Sequence, residues 1–151
     1  MATGLLMLTA DGAWMVTGGG LYQPITPSTI NAQPQSFSGA SYLQPVSVGM
    51  EVFYVQARGY AVKRLTFNIY VDAYVPTDVS ALSSHLFEGR QIVEWAWAEQ
   101  PYYLIWSLRD DGVLLSLTYL QEQEIQGWAR HDTQGYFRSV CSIPQLPEGA
   151  N

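Results

Sequence analysis

The stretch that decides the fold is IVEWAWAEQPYYLIWSLRDDGVLLSLTYLQEQEIQGWARHD, residues 92–132. It contains four short runs rich in Val, Ile, Leu, Trp and Tyr, at residues 92–97, 102–108, 113–119 and 125–131. Aromatic and β-branched residues at this density favour half-buried strands. Strands joined by short turns pair antiparallel with their neighbours. The stretch therefore predicts one four-stranded antiparallel meander, which has the size of a β-propeller blade.

The remaining sequence predicts further strands of the same kind. They span residues 4–9, 13–17, 30–35, 46–48, 52–56, 61–67, 69–75 and 135–143. The run VFYVQ at 52–56 lacks clean alternation, which is typical of a strand buried on both faces. Pro34 would confine the weak strand at 30–35 to the edge of a sheet. The chain is thus predicted to be all-β, with antiparallel sheets.

One segment, residues 78–87, has the spacing of a short helix that links two sheets. Asp78 can cap its first turn, since a carboxylate accepts hydrogen bonds from free backbone N–H groups. Val79, Leu82 and Leu86 recur at three- and four-residue spacing and would share one face.

Three predicted hairpins align on the turn glycines Gly12, Gly59 and Gly112. At equal offsets from these glycines stand apolar residues, namely Leu8, Val55 and Leu108, then Leu6, Phe53 and Trp106, then Met15, Val62 and Leu115. The three glycines are 47 and 53 residues apart, and this spacing is near the repeat length of propeller blades. A β-sandwich is the alternative, although its turns recur at about 8–12 residues. We predict a single propeller-like domain over residues 1–144, about two and a half blades of a longer chain, and a flexible tail at 145–151.

Charge and composition narrow the class of function. The chain carries 7 Lys and Arg against 13 Asp and Glu, a net charge of −6, and has no basic cluster that would grip phosphate. Only 13% of residues are charged, so part of the apolar surface is expected to meet a partner. Cys141 is the single cysteine and predicts no internal disulfide. Neither a signal peptide nor a membrane helix of about 18 apolar residues is predicted.

Residues that could carry catalysis or bind a metal lack a recognisable arrangement. His85 and His131 lie in different units, and the pair His131-Asp132 is most simply a strand end beside a turn. A metal site needs three or four converging ligands. Acidic residues that could form a glycosidase pair are Glu94, Glu99, Glu122 and Glu124, but such a pair depends on spatial separation. We therefore predict no enzyme and no catalytic, cofactor-binding or metal-binding residue. A hydrolase would need a pocket that gathers His131 with a carboxylate or a Ser.

The aromatic residues of the central stretch support a second hypothesis. They are Trp95, Trp97, Tyr102, Tyr103, Trp106 and Trp128. Packing between sheets is the default role of such residues, but aromatic platforms also bind sugars. The alternative function is therefore a carbohydrate-binding propeller module. It predicts exposed Trp or Tyr residues that share one face and lie beside polar residues, and full burial of Trp95, Trp97 and Trp106 would exclude it.

The order of several segments resembles the tail tubular proteins, also called nozzle or tail hub proteins, of short-tailed bacteriophages and prophages. The segments are GLLMLTADGAWMVTGGG, PSTINAQPQS, VFYVQARGYAVKRLTF, DVSALSSHLFEG, IVEWAWAEQP and LIWSLRDDGVLLSLTYLQEQEIQGWARHDTQGYFRSV. The resemblance extends over nearly the whole chain, from Gly4 to about Ile143. The most specific are LTYLQEQEIQGWARHDT, at residues 117–133, and DVSALSSHLF.

The resemblance implies a β-propeller-containing body in a multi-subunit tube below the portal, through which DNA leaves the capsid. The implied partners are other copies of the chain and neighbouring tail and portal proteins. The implied location is the virion tail, with assembly in the host cytoplasm. No membrane, small-molecule substrate or sequence-specific nucleic acid is expected as a partner. An acidic balance would suit a conduit that repels DNA phosphates.

Overall fold

The computed structural model describes residues 4–20, 23–123 and 125–143, and its strands form three antiparallel sheets. The predicted all-β class is confirmed. The chain divides into two compact units, Met1–Asp78 and Val79–Asn151. A single domain over 1–144 and the propeller arrangement stay predictions, and the predicted tail at 145–151 lies outside the described residues.

The first sheet of the first unit consists of β1 (Leu5–Leu8), β2 (Ala13–Thr17) and β3 (Asn31–Ser36), in that order. Thr9 and Gly12 exchange backbone hydrogen bonds of 2.8 and 3.3 Å across the β1–β2 turn. A side chain at Gly12 would place its Cβ 2.1 Å from the Ser36 carbonyl oxygen, so this close approach requires glycine. Pro34 lies in β3 at the edge of the sheet, as predicted.

The second sheet has the order β4 (Val46–Val48), β5 (Glu51–Val55), β6 (Val62–Asn68) and β7 (Ala73–Asp78). Its central strand β5 is buried on both faces, because Phe53, Tyr54 and Val55 are all inaccessible to solvent. The missing alternation in this run is therefore explained by burial.

The core of the first unit joins its two sheets. Ala13, Ala40, Tyr54 and Leu65 form the buried cluster, and partly buried side chains surround it, namely Leu6, Leu8, Val52 and Tyr74. The Tyr54 hydroxyl donates a 3.3 Å hydrogen bond to the Ser38 carbonyl. Burial raises the pKa of Tyr54, because the low-dielectric surroundings disfavour the phenolate, and the Ser38 side chain opposes this in part.

The second unit contains the predicted meander, with β8 (Ile92–Ala98), β9 (Leu104–Arg109), β10 (Leu114–Leu120) and β11 (Ile125–His131). The order β11-β10-β9-β8 confirms that each strand pairs with its chain neighbour. Gly112 has φ +78°, which the tight β9–β10 turn requires. One face of the sheet is a packed interior, since Ile105, Ser107, Leu115 and Leu117 have no exposed surface.

The helix predicted over residues 78–87 is wrong. Asp78 instead ends β7, where its carboxylate pairs with Lys63 Nζ at 3.0 Å. Only a 3-10 turn forms, at Ala81–Leu86, and Ser83 inside it has non-helical angles. Leu82 is 94% exposed whereas Val79 is buried, so the predicted apolar face does not exist. A run of three serines and histidine in ten residues gives too little burial to stabilise an α-helix.

The strand predicted over residues 69–75 begins later than expected. Residues 69–72 form the β6–β7 turn, in which the Asn68 side chain accepts a 2.9 Å hydrogen bond from the Tyr70 backbone N–H. Asp72 has φ +49°, a left-handed conformation that ends the turn. Local side-chain bonding to the backbone therefore overrides the β propensity of the Ile-Tyr-Val run.

The strand predicted over residues 135–143 is also wrong, since these residues pair with no strand in the described chain. The segment instead lies against the second unit's sheet. The Phe137 backbone N–H donates to the Gly112 carbonyl at 2.9 Å. Ser139 Oγ and the Val140 N–H both donate to the Glu94 carboxylate, at 3.0 and 3.3 Å.

At one of its three offsets, the repeat of apolar residues around the turn glycines is also a burial pattern. Met15, Val62 and Leu115, three residues after each glycine, are all buried. The hairpin registers nevertheless differ, since the pairs that flank the turns are Leu8↔Ala13, Val55↔Val62 and Leu108↔Leu114. The spacing of buried residues therefore repeats while the turn length varies.

Candidate interaction surface

One end of the second sheet gathers two turns. The β4–β5 turn follows the pair Val48↔Glu51, and the β6–β7 turn follows the pair Asn68↔Ala73. Because β5 and β6 pair antiparallel, with Val52 opposite Leu65, both turns lie at the same end of the sheet. The topology thus brings residues 49–50 and 69–72 side by side.

These turns carry an unusual concentration of exposed apolar side chains. They are Tyr70 (95% exposed), Met50 (81%), Ile69 (78%), Val71 (60%) and Phe67 (39%), and we call this set the apolar tip. Burying one large apolar side chain contributes roughly 1.5–3 kcal/mol, so the tip leaves a substantial driving force for association unused. Contiguous apolar patches of this kind mark interaction sites.

The base of the tip is held in place by the sheet. The Phe67 ring packs edge-on against Tyr74 with centroids 5.3 Å apart. Glu51, beside Met50, is almost fully buried, accepts a 2.9 Å hydrogen bond from Thr66 and lies 3.7 Å from Arg64. The tip is therefore presented by an ordered platform.

The apolar tip carries almost no charge. Asp72 is the single charged residue of the turn sequence FNIYVDA, residues 67–73, and the neighbouring Glu51 is buried. Sequence reasoning missed this surface because Ile-Tyr-Val resembles a strand. The signal that could have found it is the pair Asn68 and Asp72, which bracket the run with turn-forming side chains.

The central tryptophans do not share one face. Trp95 pairs with Ser107 and Trp97 with Ile105, whereas Trp106 lies opposite Ala96. Residues that pair across strands share a face and neighbours along a strand alternate. Trp106 therefore lies on the face opposite to that of Trp95 and Trp97. Trp95 is buried, but Trp97 and Trp106 are only partly buried, so the burial that would exclude a carbohydrate site is not observed.

Trp128 has a packing role in the second unit. Its indole N–H donates to the Val79 carbonyl at 2.9 Å, and its ring meets that of buried Phe87 edge-on at 4.9 Å. Gln126 donates to the same carbonyl, also at 2.9 Å. These contacts attach the segment after β7 to β11.

A cavity of about 340 Å³ lies beside Trp97 in the second unit. Its lining combines apolar and polar groups, namely Trp97, Ala98, Glu99, Gln100, Ser142 and Ile143. Tyr103 is near this site, with its ring centroid 6.3 Å from that of Trp97, and Tyr102 is 69% exposed. An aromatic ring beside a carboxylate and an amide combines the apolar and polar groups that line small-molecule sites.

The structure brings His131 to a serine that the sequence did not indicate. His131 Nε2 lies 2.8 Å from Ser116 Oγ, and the imidazole ring packs 5.0 Å from Trp106. Ser116 is nevertheless buried, with 5% exposure, and the Asp132 carboxylate pairs with Arg130 at 2.8 Å. A nucleophilic serine must be accessible to a substrate and its base oriented by a third group. His131 and Asp132 do line one cavity of about 240 Å³, but Ser116 is not part of its lining. The His131–Ser116 pair therefore fits a cross-strand structural contact.

The acidic candidates are dispersed. Glu94 holds the segment at 139–140, Glu99 and Glu122 are exposed, and Glu124 lies outside the described residues. No group of three His, Cys, Asp or Glu that could hold a metal occurs among the described residues. Within the same residues, no helix is long and apolar enough to cross a membrane.

Arg109 is the centre of a polar cluster in the second unit. It donates two hydrogen bonds to the Asp111 carboxylate and a third, of 2.7 Å, to the Leu86 carbonyl. Hydrogen bonding from Arg109 is the main cause that lowers the pKa of Asp111, with Arg90 adding a smaller attraction at 3.6 Å. The cluster fixes the β9–β10 turn against the 3-10 turn.

No protein-family model matches the chain, and a search of curated proteins finds no match.

Proposed function

We propose that the chain is a structural subunit of a short-tailed phage or prophage tail tube, which assembles below the portal as part of the DNA exit conduit and has no enzymatic activity. The observation that carries the proposal is the apolar tip. It supplies an exposed contact surface on an all-β scaffold. The segment resemblance supports the same assembly role.

The partner of the apolar tip is a neighbouring copy of the chain. Each copy carries a net charge of −6, so close approach of two copies is opposed wherever their carboxylates face each other. The tip offers one exposed carboxylate, Asp72, among five apolar side chains. It is thus a place where acidic subunits meet with little repulsion. Repetition of such a contact builds closed rings when the rotation between copies closes.

The acidic balance also suits a conduit for DNA. Tight DNA binding comes from contacts between cations and phosphates, and the chain has few cations to offer. Carboxylates on a lumen would keep the DNA mobile. Neutralising lumen-facing carboxylates in the assembled tail should then slow DNA ejection, and an unchanged ejection rate would contradict this part of the proposal.

Negative-stain electron microscopy of the purified chain tests the assembly role. The wild-type protein should form rings or short tubes with an open channel, and the double substitution Ile69→Ser/Tyr70→Ser should abolish them. The matched control is Ile30→Ser/Tyr60→Ser, which changes the same residue types at 56% and 45% exposure outside the tip. Rings that survive the tip substitutions, or wild-type particles that never exceed a single subunit, would contradict the proposal.

A second candidate function, a carbohydrate-binding module, is favoured by the cavity beside Trp97. A sugar ring stacked on Trp97 could be oriented by Glu99, Gln100 and Ser142, all of which line the cavity. Titration of the protein with a panel of oligosaccharides should then quench tryptophan fluorescence, and Trp97→Ala should abolish the change. The control Trp14→Ala alters a partly buried tryptophan of the other unit and should leave binding intact. An absence of quenching by every sugar rules this candidate out.

A further inference from the structure

The outer edge of β1 is open. In the sheet β1-β2-β3, β1 pairs only with β2 among the described residues. Its sequence is Leu-Leu-Met-Leu, with Leu5 56% and Met7 44% exposed. An exposed apolar edge strand is a template for pairing with another chain.

The other edge strands carry features that discourage pairing. β3 contains Pro34 and β7 contains Pro76, and proline removes a ladder N–H. β4 has only three residues, β8 is interrupted by a bulge before Glu94, and β11 carries the exposed Arg130. Natural edges are protected in these ways, whereas β1, although it has only four residues, contains no proline, bulge or charged side chain.

The position of the missing neighbour follows from the repeat. The hairpins β1–β2, β5–β6 and β9–β10 correspond through Gly12, Gly59 and Gly112. β5 is flanked on its other side by β4, and β9 by β8. A strand that pairs with the outer edge of β1 would complete a third four-stranded sheet of the same order.

We propose that the outer edge of β1 accepts an added strand, and that residues 136–143 of a second copy of this chain supply it. This segment follows β11 along the chain as β8 follows β7, so it corresponds to β4 and β8. Its sequence, YFRSVCSI, has the aromatic and apolar content of a strand but pairs with no strand in the described chain. Tyr136 and Ile143 are 80% and 84% exposed.

The hydrogen bonds of β1 allow this addition. Thr9 and Gly12 exchange backbone bonds, and in an antiparallel pair bonded and non-bonded positions alternate. The backbone groups of Leu5 and Met7 therefore point to β2, while those of Leu6 and Leu8 point to the outer edge. The segment at 136–143 can supply their partners. Ser139 keeps its side-chain bond to Glu94 of its own copy, whereas the backbone N–H groups of Phe137 and Val140 exchange their bonds to Gly112 and Glu94 for ladder bonds where they face β1. The proposal concerns β1 alone and does not depend on the tail-tube role.

Disulfide cross-linking tests the proposal, because Cys141 is the single cysteine and is exposed. Cysteine is introduced at Leu5, Leu6, Met7 or Leu8 in a Cys141→Ser background, and each variant is mixed with isotope-labelled wild-type protein under mild oxidation. We expect a mixed disulfide at twice the subunit mass for at least one position. The control is Val75→Cys on β7, whose exposure of 38% is close to that of Met7.

Two results would overturn the proposal. One is that no cysteine on β1 forms more mixed disulfide than the control Val75→Cys does. The other is a disulfide between Cys141 and the cysteine of Met7→Cys within one subunit, observed at single-subunit mass in the variant that keeps Cys141. The segment at 136–143 would then pair with the edge of its own copy.

A charge on the edge provides a second measurement. Met7→Lys should raise the concentration needed for association by about tenfold, since edge lysines disfavour strand pairing. Val75→Lys should leave that concentration unchanged. Equal behaviour of the two variants, measured by sedimentation velocity, contradicts strand addition at β1. If Met7→Lys weakens association but no cysteine on β1 forms a disulfide with Cys141, another segment pairs with the edge. That result would contradict the assignment of residues 136–143.

Discussion

At the scale of single residues, Tyr54 is the largest side chain buried without exposure in the first unit. Tyr54→Ala leaves a cavity in the core that joins the two sheets and should lower the free energy of unfolding by about 3–5 kcal/mol. Tyr54→Phe removes only the bond to the Ser38 carbonyl and should cost about 0.5–1.5 kcal/mol. Urea denaturation measures both changes. Tyr42→Ala, at 93% exposure, is the control, and an equal effect at Tyr42 and Tyr54 would show that the core has been misplaced.

The lowered pKa of Asp111 predicts that the free energy of unfolding decreases in acid. Its pKa is lowered in the folded state by Arg109. The stability that it contributes is therefore complete above the unfolded-state pKa of about 3.9 and is lost as the pH falls through the lower folded-state pKa. At pH 7, Asp111→Asn should reduce the free energy of unfolding by about 1–2 kcal/mol.

The difference between wild type and Asp111→Asn should shrink when the same denaturation is repeated in acid, near the folded-state pKa. Asp132→Asn is the matched control, because the Arg130–Asp132 pair is mostly exposed and such pairs contribute little. A difference at Asp111 that stays constant from neutral to acid pH would exclude the ionised carboxylate as its cause.

At the scale of elements, substitutions at two turn glycines distinguish the cost of a left-handed backbone conformation from the cost of lost packing. Gly89 has φ +67° with no heavy atom within 4 Å of a built Cβ, whereas at Gly112, with φ +78°, the Cβ would lie 2.8 Å from that of Tyr136. Gly89→Ala should cost about 1–2 kcal/mol from the left-handed conformation alone. Gly112→Ala should cost more, because it also displaces the segment at 136–137 from the β9–β10 turn. Thermal denaturation compares them, and a smaller loss for Gly112→Ala would show that this segment does not pack there.

The strands that the sequence predicted best are those that pair with a chain neighbour across a short turn. The run at 125–131 matches β11, and Gly112 marks the β9–β10 turn, because burial and turn chemistry agree there. The predictions of secondary structure fail where contacts with residues outside the segment determine its conformation. The sequence pattern places Asp78 at a helix cap, although Lys63, fifteen residues earlier, holds it in a strand.

The candidate surface was less predictable than the fold. The expectation that apolar area would meet a partner came from the low content of charge, but composition does not place that area on the sheet. Ile69, Tyr70 and Val71 have the composition of a buried strand, and only the turn formed by Asn68 and Asp72 exposes them. The contact between His131 and Ser116 likewise depends on the β10–β11 register, which no local pattern specifies.

At the scale of the whole molecule, the account rests on association between copies. Both interaction features lie at sheet boundaries: the apolar tip at one end of the second sheet, and the unprotected edge of β1 in the first. The two features make different contacts, so a substitution in the apolar tip should not have the same effect as a substitution in β1. Ile69→Ser/Tyr70→Ser should weaken association without removing the disulfide between β1 and Cys141.

The measurement that tests the central claim most directly is the solution mass of the chain, by light scattering across a concentration series. The account predicts a mass that rises with concentration above the 16.8 kDa of one subunit, and a lower mass at each concentration for Ile69→Ser/Tyr70→Ser. A constant mass of one subunit throughout the series would contradict it, since the apolar tip would then have no partner in other copies of the chain.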